Sequence, residues 1–132
     1  MNFGIVGLGR MGGNMARRLS QKNIRIALMN RTFSIAEALA AETGHIACAD
    51  YAAFVKALEM PRIVWLMLPA GDATETALEA LLPMLSPGDL LVDGANAHYK
   101  DDIRRALRCG DFSIEFSDAG VSGGVWGLEN GY

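Results

Sequence analysis

The run Gly7-Leu8-Gly9-Arg10-Met11-Gly12 constrains this chain more than any other feature. It follows a short apolar stretch at residues 2–6 and opens a segment in which Met11, Met15, Ala16 and Leu19 share one helical face. A GxGxxG pattern alone is weak, but between a first strand and a helix each glycine has a physical job. Gly7 permits the tight turn, Gly9 lets a pyrophosphate approach the backbone, and Gly12 lets the helix pack closely on the sheet. The free N–H groups and positive dipole end of the helix then face the phosphates. The alternative is a plain strand–helix turn with no ligand. Glycine also clusters at the other end, where Gly120, Gly123, Gly124, Gly127 and Gly131 fall within 13 residues.

The rest of the chain alternates strands with helices. Residues 24–29, 62–68 and 89–93 are nearly continuous apolar runs, which suit strands covered on both faces of a parallel sheet. Residues 46–48 read as a short further strand. In 112–117 apolar Phe112, Ile114 and Phe116 alternate with polar residues, so one face is buried and the strand belongs near a sheet edge. Between them, Ser34 with Glu37 and Asp72 with Glu75 have capping-box spacing, and Asp50 precedes Tyr51, Phe54, Val55 and Leu58 at helical spacing. Asp101 and Asp102 begin a helix whose later Arg104, Arg105 and Arg108 match its macrodipole. The expected fold is α/β: a Rossmann-type, doubly wound, mainly parallel sheet with helices on both faces, forming one domain over 1–132. Ligands of such sheets sit at the carboxyl ends of the strands.

Bulk properties remove other classes. A net charge of −3 with scattered Lys and Arg gives no basic face for nucleic acid. No apolar stretch approaches the roughly 20 residues of a membrane span, and no charged leader precedes the first strand. Cys48 and Cys109 form no CxxC and read as reduced core thiols of a cytoplasmic protein. No metal is expected.

The residues ending the second strand select the cofactor. An acid there would bond the adenosine ribose of NAD; this chain has Asn30, Arg31 and Thr32. Asn30 removes a charge that would repel a 2′-phosphate, Arg31 can pair with that phosphate, and Thr32 offers a hydroxyl. NADP is therefore the expected cofactor, with NAD as the alternative; a solvated Arg31 with no ligand is the plain reading.

Three later segments also place polar groups at strand ends: residues 67–71, residues 93–102 and Gly120-Val121-Ser122-Gly123-Gly124. With these the chain resembles the N-terminal domain of 6-phosphogluconate dehydrogenase, a decarboxylating member of the β-hydroxyacid dehydrogenases, over its whole length. The segment Gly124-Val125-Trp126-Gly127-Leu128-Glu129-Asn130-Gly131-Tyr132 is most like a bacterial-type branch, many members of which use NAD. The resemblance implies that Gly7, Leu8, Gly9, Arg10, Met11, Gly12, Asn30, Arg31, Thr32, Leu68, Pro69 and Ala70 contact the dinucleotide. It implies that Asn96 lies between nicotinamide and substrate, and that Ser122, Gly123 and Gly124 bind the sugar acid, 6-phosphogluconate. Plain turn and loop roles are the alternatives for Asn96 and for 122–124. Ala95 and Ala97 depart from the Gly and Ser of the family, and Ala97 removes a hydroxyl from the site.

The resemblance further implies a general-base Lys and a general-acid Glu after Tyr132, and a helical domain that makes the family's dimer. On this reading the chain is a truncated enzyme domain that binds cofactor and turns over slowly or not at all. Its last strand then exposes an edge and an apolar face. Lys22, Lys56 and Lys100 are poor substitutes for the base, His98 reads as a helix-start residue, and His45 has no assigned role. A free-standing dinucleotide-binding module and a related hydroxyacid dehydrogenase or imine reductase are the competing readings.

Overall fold

The computed structural model describes residues 1–132. Six strands, β1 (Phe3–Val6), β2 (Ala27–Met29), β3 (Ile46–Cys48), β4 (Ile63–Leu66), β5 (Leu90–Asp93) and β6 (Glu115–Asp118), alternate with five helices. These are α1 (Arg10–Gln21), α2 (Phe33–Thr43), α3 (Tyr51–Ala57), α4 (Asp72–Leu81) and α5 (Tyr99–Gly110); a one-turn α6 (Gly127–Asn130) follows β6. The strands form one sheet in the order β3-β2-β1-β4-β5-β6, and every pairing is parallel. The order reverses between β1 and β4, so a crevice opens there at the carboxyl ends of the strands.

Both sheet faces are covered. Val6, Val64, Leu66 and Leu91 pack against Phe54 and Val55 of α3, Leu78 and Leu81 of α4, and Cys109 of α5. On the opposite face Ile5, Ile26 and Leu28 meet Ala16 of α1 and Ala36 and Leu39 of α2. Both cysteines are free and buried, and burial pushes the Cys109 thiol up to about 11. No helix is long and apolar enough to cross a membrane.

Local signals misplace several element ends. α2 begins at Phe33 with Thr32 at its N-cap, and Ser34 makes no capping bond. The Asn30 amide holds the Thr32 carbonyl at 3.2 Å where the helix starts, and Asn30 is itself fixed from a distance by the Leu8 N–H. The buried face of α2 is accordingly Ala36 and Leu39, while Ile35 and Ala38 are exposed. Gly71, not Asp72, caps α4, because Glu75 is drawn away to Arg104 and Arg105. Asp50 does cap α3, accepting from the Ala53 N–H at 2.7 Å.

Strands are shorter than their apolar runs. The Ile24 N–H returns to the Leu19 carbonyl at the exit of α1, so β2 starts only at Ala27. The Arg62 N–H and guanidinium go to the Asp89 carboxylate, while its carbonyl still accepts from the Leu90 N–H. The Phe112 and Ser113 N–H groups fold back onto the end of α5, which delays β6 to Glu115. β6 is indeed an edge, but Glu115, Ser117 and Asp118 leave it polar. Exposed apolar residues lie instead on α5, at Tyr99, Ile103 and Leu107, after β6 at Val125, Trp126 and Tyr132, and singly at Ile24, Ile35, Met60 and Met84.

Candidate functional site

The loop from β1 to α1 is built on close backbone contact. Gly7 has φ +94° and donates its N–H to the Met29 carbonyl at 2.9 Å. A Cβ on Gly7 would strike the Met67 carbonyl, and one on Gly12 would strike the Gly7 carbonyl oxygen. Gly9 differs: a Cβ there would meet no protein atom within 4 Å. Gly9 is the N-cap of α1, where no side chain caps the helix and no acid occupies the first turn. The first-turn N–H groups have no intrahelical partner, so this end of α1 is a cradle for an anion.

The end of β2 is tied to that cradle. The Leu8 N–H donates to Asn30 Oδ1 at 3.0 Å, and Asn30 Nδ2 donates to the Thr32 carbonyl. Arg31 and Thr32 stand exposed beside it, as does Arg10, while Leu8 is buried and Met11 half-buried. Arg31 takes part in no ion pair. After β4, Thr74 Oγ1 donates to the Pro69 carbonyl at 2.9 Å, which fixes Leu68, Pro69 and Ala70 at the crevice.

Beyond β5 the Gly94 N–H bonds the Leu66 carbonyl, and the chain turns through Asn96 at φ +54°. Asn96 Nδ2 donates to the Val121 carbonyl and Asn96 Oδ1 accepts from the Val121 N–H, both at 3.0 Å. One amide thereby ties the loop after β5 to the loop after β6. Each end of that amide keeps one further hydrogen-bonding position. Ser122, Gly123 and Gly124 follow, all exposed. His98 is the N-cap of α5, its Nδ1 accepting from the Lys100 N–H at 3.3 Å.

A polar network that sequence reasoning missed lies beneath these loops. Arg105 is 1% exposed; its Nη1 donates to Asp93 Oδ2 and its Nε to Glu75 Oε1, both at 2.8 Å. Arg105 is thus no macrodipole partner in solvent. Asp93 Oδ1 accepts the Ala95 N–H at 2.9 Å, and the Asp93 carbonyl accepts the Ala119 N–H at 2.8 Å. The available signal was periodicity, since Asp102, Arg105 and Cys109 at i, i+3 and i+7 share the buried face of α5. Burial pushes the Asp102 carboxyl up, with repulsion from Asp93 and Asp118 adding to it and Arg105 opposing.

His45 is also buried, with Nε2 2.7 Å from the Ala16 carbonyl and Nδ1 accepting from Ile26 N–H, so it has a structural role. Two concavities lie apart from Asn96 and 122–124. One, of about 290 Å³, lies between α1 and α2; the other, of about 250 Å³, is lined by Phe3, Met15, Trp65 and Tyr132 among others. No three His, Cys, Asp or Glu side chains cluster so as to hold a metal ion.

An all-parallel doubly wound sheet with a glycine-built anion cradle at its switch point defines a Rossmann-type dinucleotide-binding domain. Sequence comparison then gives its family. Residues 2–132 match the NAD binding domain of 6-phosphogluconate dehydrogenase, and the chain belongs to that family. It is 40% identical over 129 residues to the decarboxylating 6-phosphogluconate dehydrogenase of Lactococcus lactis subsp. lactis (strain IL1403), covering 96% of this chain and 27% of the relative. The corresponding enzyme of Trypanosoma brucei brucei is 38% identical over 138 residues, covering 99% and 29%. A solved structure of Plasmodium falciparum 6-phosphogluconate dehydrogenase, studied with NADP+ and with its substrate 6-phosphogluconate, superimposes with a TM-score of 0.89. That likeness is at 28% identity and covers 97% of this chain and 28% of the other. The chain thus spans less than a third of the length of the relatives it matches.

Proposed function

We propose that this chain is the coenzyme-binding domain of a 6-phosphogluconate dehydrogenase that oxidatively decarboxylates 6-phosphogluconate to ribulose 5-phosphate, with NADP preferred over NAD. Gly7, Leu8, Gly9, Arg10, Met11 and Gly12 hold the pyrophosphate. Arg31 and Thr32, set by Asn30, hold the 2′-phosphate, and Leu68, Pro69 and Ala70 border the nicotinamide. Asn96 and Ser122, Gly123 and Gly124 bind the sugar acid. The observation that carries this reading is the amide of Asn96 bonded to both backbone groups of Val121. It unites the two segments most specific to the resemblance in one polar corner.

When bound, the oxidised nicotinamide supplies the hydride acceptor. This chain's residues bind and orient, and a general base is missing from their number. Lys22 caps the C-terminal end of α1, and Lys56 lies in the last turn of α3. Both helices run away from the strand ends, which puts these lysines at the far edge of the sheet. Lys100 is at the right end but stands exposed in the first turn of α5, next to Asp101 and Asp102. The base, the acid and the family's dimer contacts belong to the remainder of such an enzyme.

Titration of the purified chain with NADP+ and NAD+, then absorbance at the NADPH band with 6-phosphogluconate added, tests this. Tighter NADP+ binding and little NADPH are expected. NAD+ binding as tight or tighter overturns the cofactor preference, and rapid NADPH formation overturns the missing base.

A further inference from the structure

We infer that Arg105 is a positioning residue for the sugar-acid corner, acting through Asp93 on the clamp between Asn96 and Val121; the ligand named here rests on the function proposed above. No hydrogen bond or ion pair of Arg105 goes to the loops that would meet substrate; its partners are Asp93, Glu75 and Asp102. It holds Asp93 Oδ2 at 2.8 Å, while Asp93 Oδ1 takes the Ala95 N–H at 2.9 Å and the Asp93 carbonyl takes the Ala119 N–H at 2.8 Å. One aspartate thereby fixes the chain just before Asn96 and just before Val121, the two partners of the clamp.

The arrangement needs this support. Asn96 sits at φ +54°, in the left-handed region, which asparagine tolerates better than other side-chain-bearing residues but which still costs free energy relative to φ below zero. The clamp itself is exposed, so water competes for both of its hydrogen bonds. Its geometry therefore depends on what lies below. Arg105 and Asp93 are each about 1% exposed on their side chains, and the pair is protected from that competition. Arg105 also reaches Glu75 in the first turn of α4, which follows the loop of Leu68, Pro69 and Ala70. A planar guanidinium can hold both carboxylates in one plane, which an ammonium cannot do with the same geometry.

The test uses the 132-residue chain and three variants: Arg105→Met, Arg105→Lys and Asp93→Asn/Arg105→Met. In the double variant no charge is left unpaired at position 93, and Glu75 keeps Arg104 at 2.7 Å, so it carries the readouts where Arg105→Met fails to fold. NMR follows the Asn96 side-chain amide and hydrogen exchange at the Val121 N–H; titrations follow NADP+ and, on the NADP+-loaded chain, 6-phosphogluconate. We expect Val121 exchange at least about tenfold faster in the Met variants. We expect 6-phosphogluconate affinity to fall about tenfold or more while NADP+ affinity stays within about twofold. Arg105→Lys should recover part of both losses. Unchanged Asn96 and Val121 signals, or equal proportional losses of both ligands, overturn the inference. A wild-type chain that binds neither ligand refutes the proposed function, while the NMR arm still decides the clamp.

Discussion

The Leu8 N–H donates to Asn30 Oδ1 at 3.0 Å, so the phosphate loop and the end of β2 are one structural unit. Asn30 serves this unit as an uncharged acceptor beside an unpaired Arg31. Asn30→Asp keeps an oxygen for Leu8 but loses the bond to the Thr32 carbonyl and adds charge where a 2′-phosphate would lie. Parallel titrations should show NADP+ weakened about tenfold or more, with NAD+ held or improved. Arg31→Ala should cost NADP+ about ten- to a hundredfold, the worth of a charge-assisted hydrogen bond, and leave NAD+ nearly unchanged. Equal losses for both dinucleotides would place Arg31 away from the 2′-phosphate.

Gly9 and Gly12 should separate binding from folding. A Cβ at Gly9 meets no protein atom, whereas one at Gly12 strikes the Gly7 carbonyl. Gly9→Ala should therefore keep its thermal midpoint within a few degrees and lose most dinucleotide affinity, because the methyl fills the cradle. Gly12→Ala should lose about 1–3 kcal/mol of stability to overpacking. Thermal melts with and without NADP+ distinguish the two; a Gly9→Ala chain still stabilised by NADP+ like the parent would remove Gly9 from the site.

What the sequence reveals here depends on the range of the interaction. Apolar runs at 2–6, 62–68 and 89–93 betray a buried parallel sheet because each run reflects covering on both faces. The glycine turn and the polar strand ends are equally local. Ser34 and Glu37 also satisfy a local rule, yet α2 starts where Asn30 holds the Thr32 carbonyl, and Asn30 is itself fixed by Leu8, 22 residues earlier. Arg105 fails to show for the same reason. Its carboxylate partners Asp93 and Glu75 stand 12 and 30 residues away, and only the fold brings them together. Asn96 and Val121, 25 residues apart, are each legible within a motif, but their pairing is not.

His45 shows how much an unremarkable loop residue can hold. Its Nδ1 accepts the Ile26 N–H, so Nε2 carries the proton and donates to the Ala16 carbonyl at 2.7 Å. One ring thus joins α1, the approach to β2 and the approach to β3. His45→Ala leaves the buried Ile26 N–H unpaired and removes the second bond to the Ala16 carbonyl, which keeps its place in α1, and should cost on the order of 1–3 kcal/mol. Urea unfolding measures this as a lower midpoint at constant slope. A change under about 0.5 kcal/mol would mean that water replaces both bonds.

Asp102 should be a residue whose charge opposes folding. Burial raises its carboxyl above the ordinary range, and Asp93 and Asp118 repel it, against the attraction of Arg105 3.6 Å away. A carboxyl whose native value is raised binds its proton more tightly folded than unfolded. Stability then falls as pH rises from the ordinary aspartate value, about 4, through the raised native value, and the penalty is complete above it. Asp102→Asn removes the charge at nearly constant size, and Arg105 retains its hydrogen bonds to Asp93 and Glu75. The variant should be more stable than the parent at pH 7, and the advantage should shrink as pH falls through the native value. Asp89 sets the opposite sign. Burial raises it, but bonds from the Arg62 and Ser86 N–H groups and the Arg62 guanidinium outweigh that and hold it low. Its stabilisation is present above the ordinary aspartate value and is lost in acid. Denaturant unfolding of Asp102→Asn and the parent from pH 4 to 8 reads the difference directly. An Asn variant less stable at pH 7, or a gap independent of pH, would show that the ionised carboxylate is compensated by Arg105.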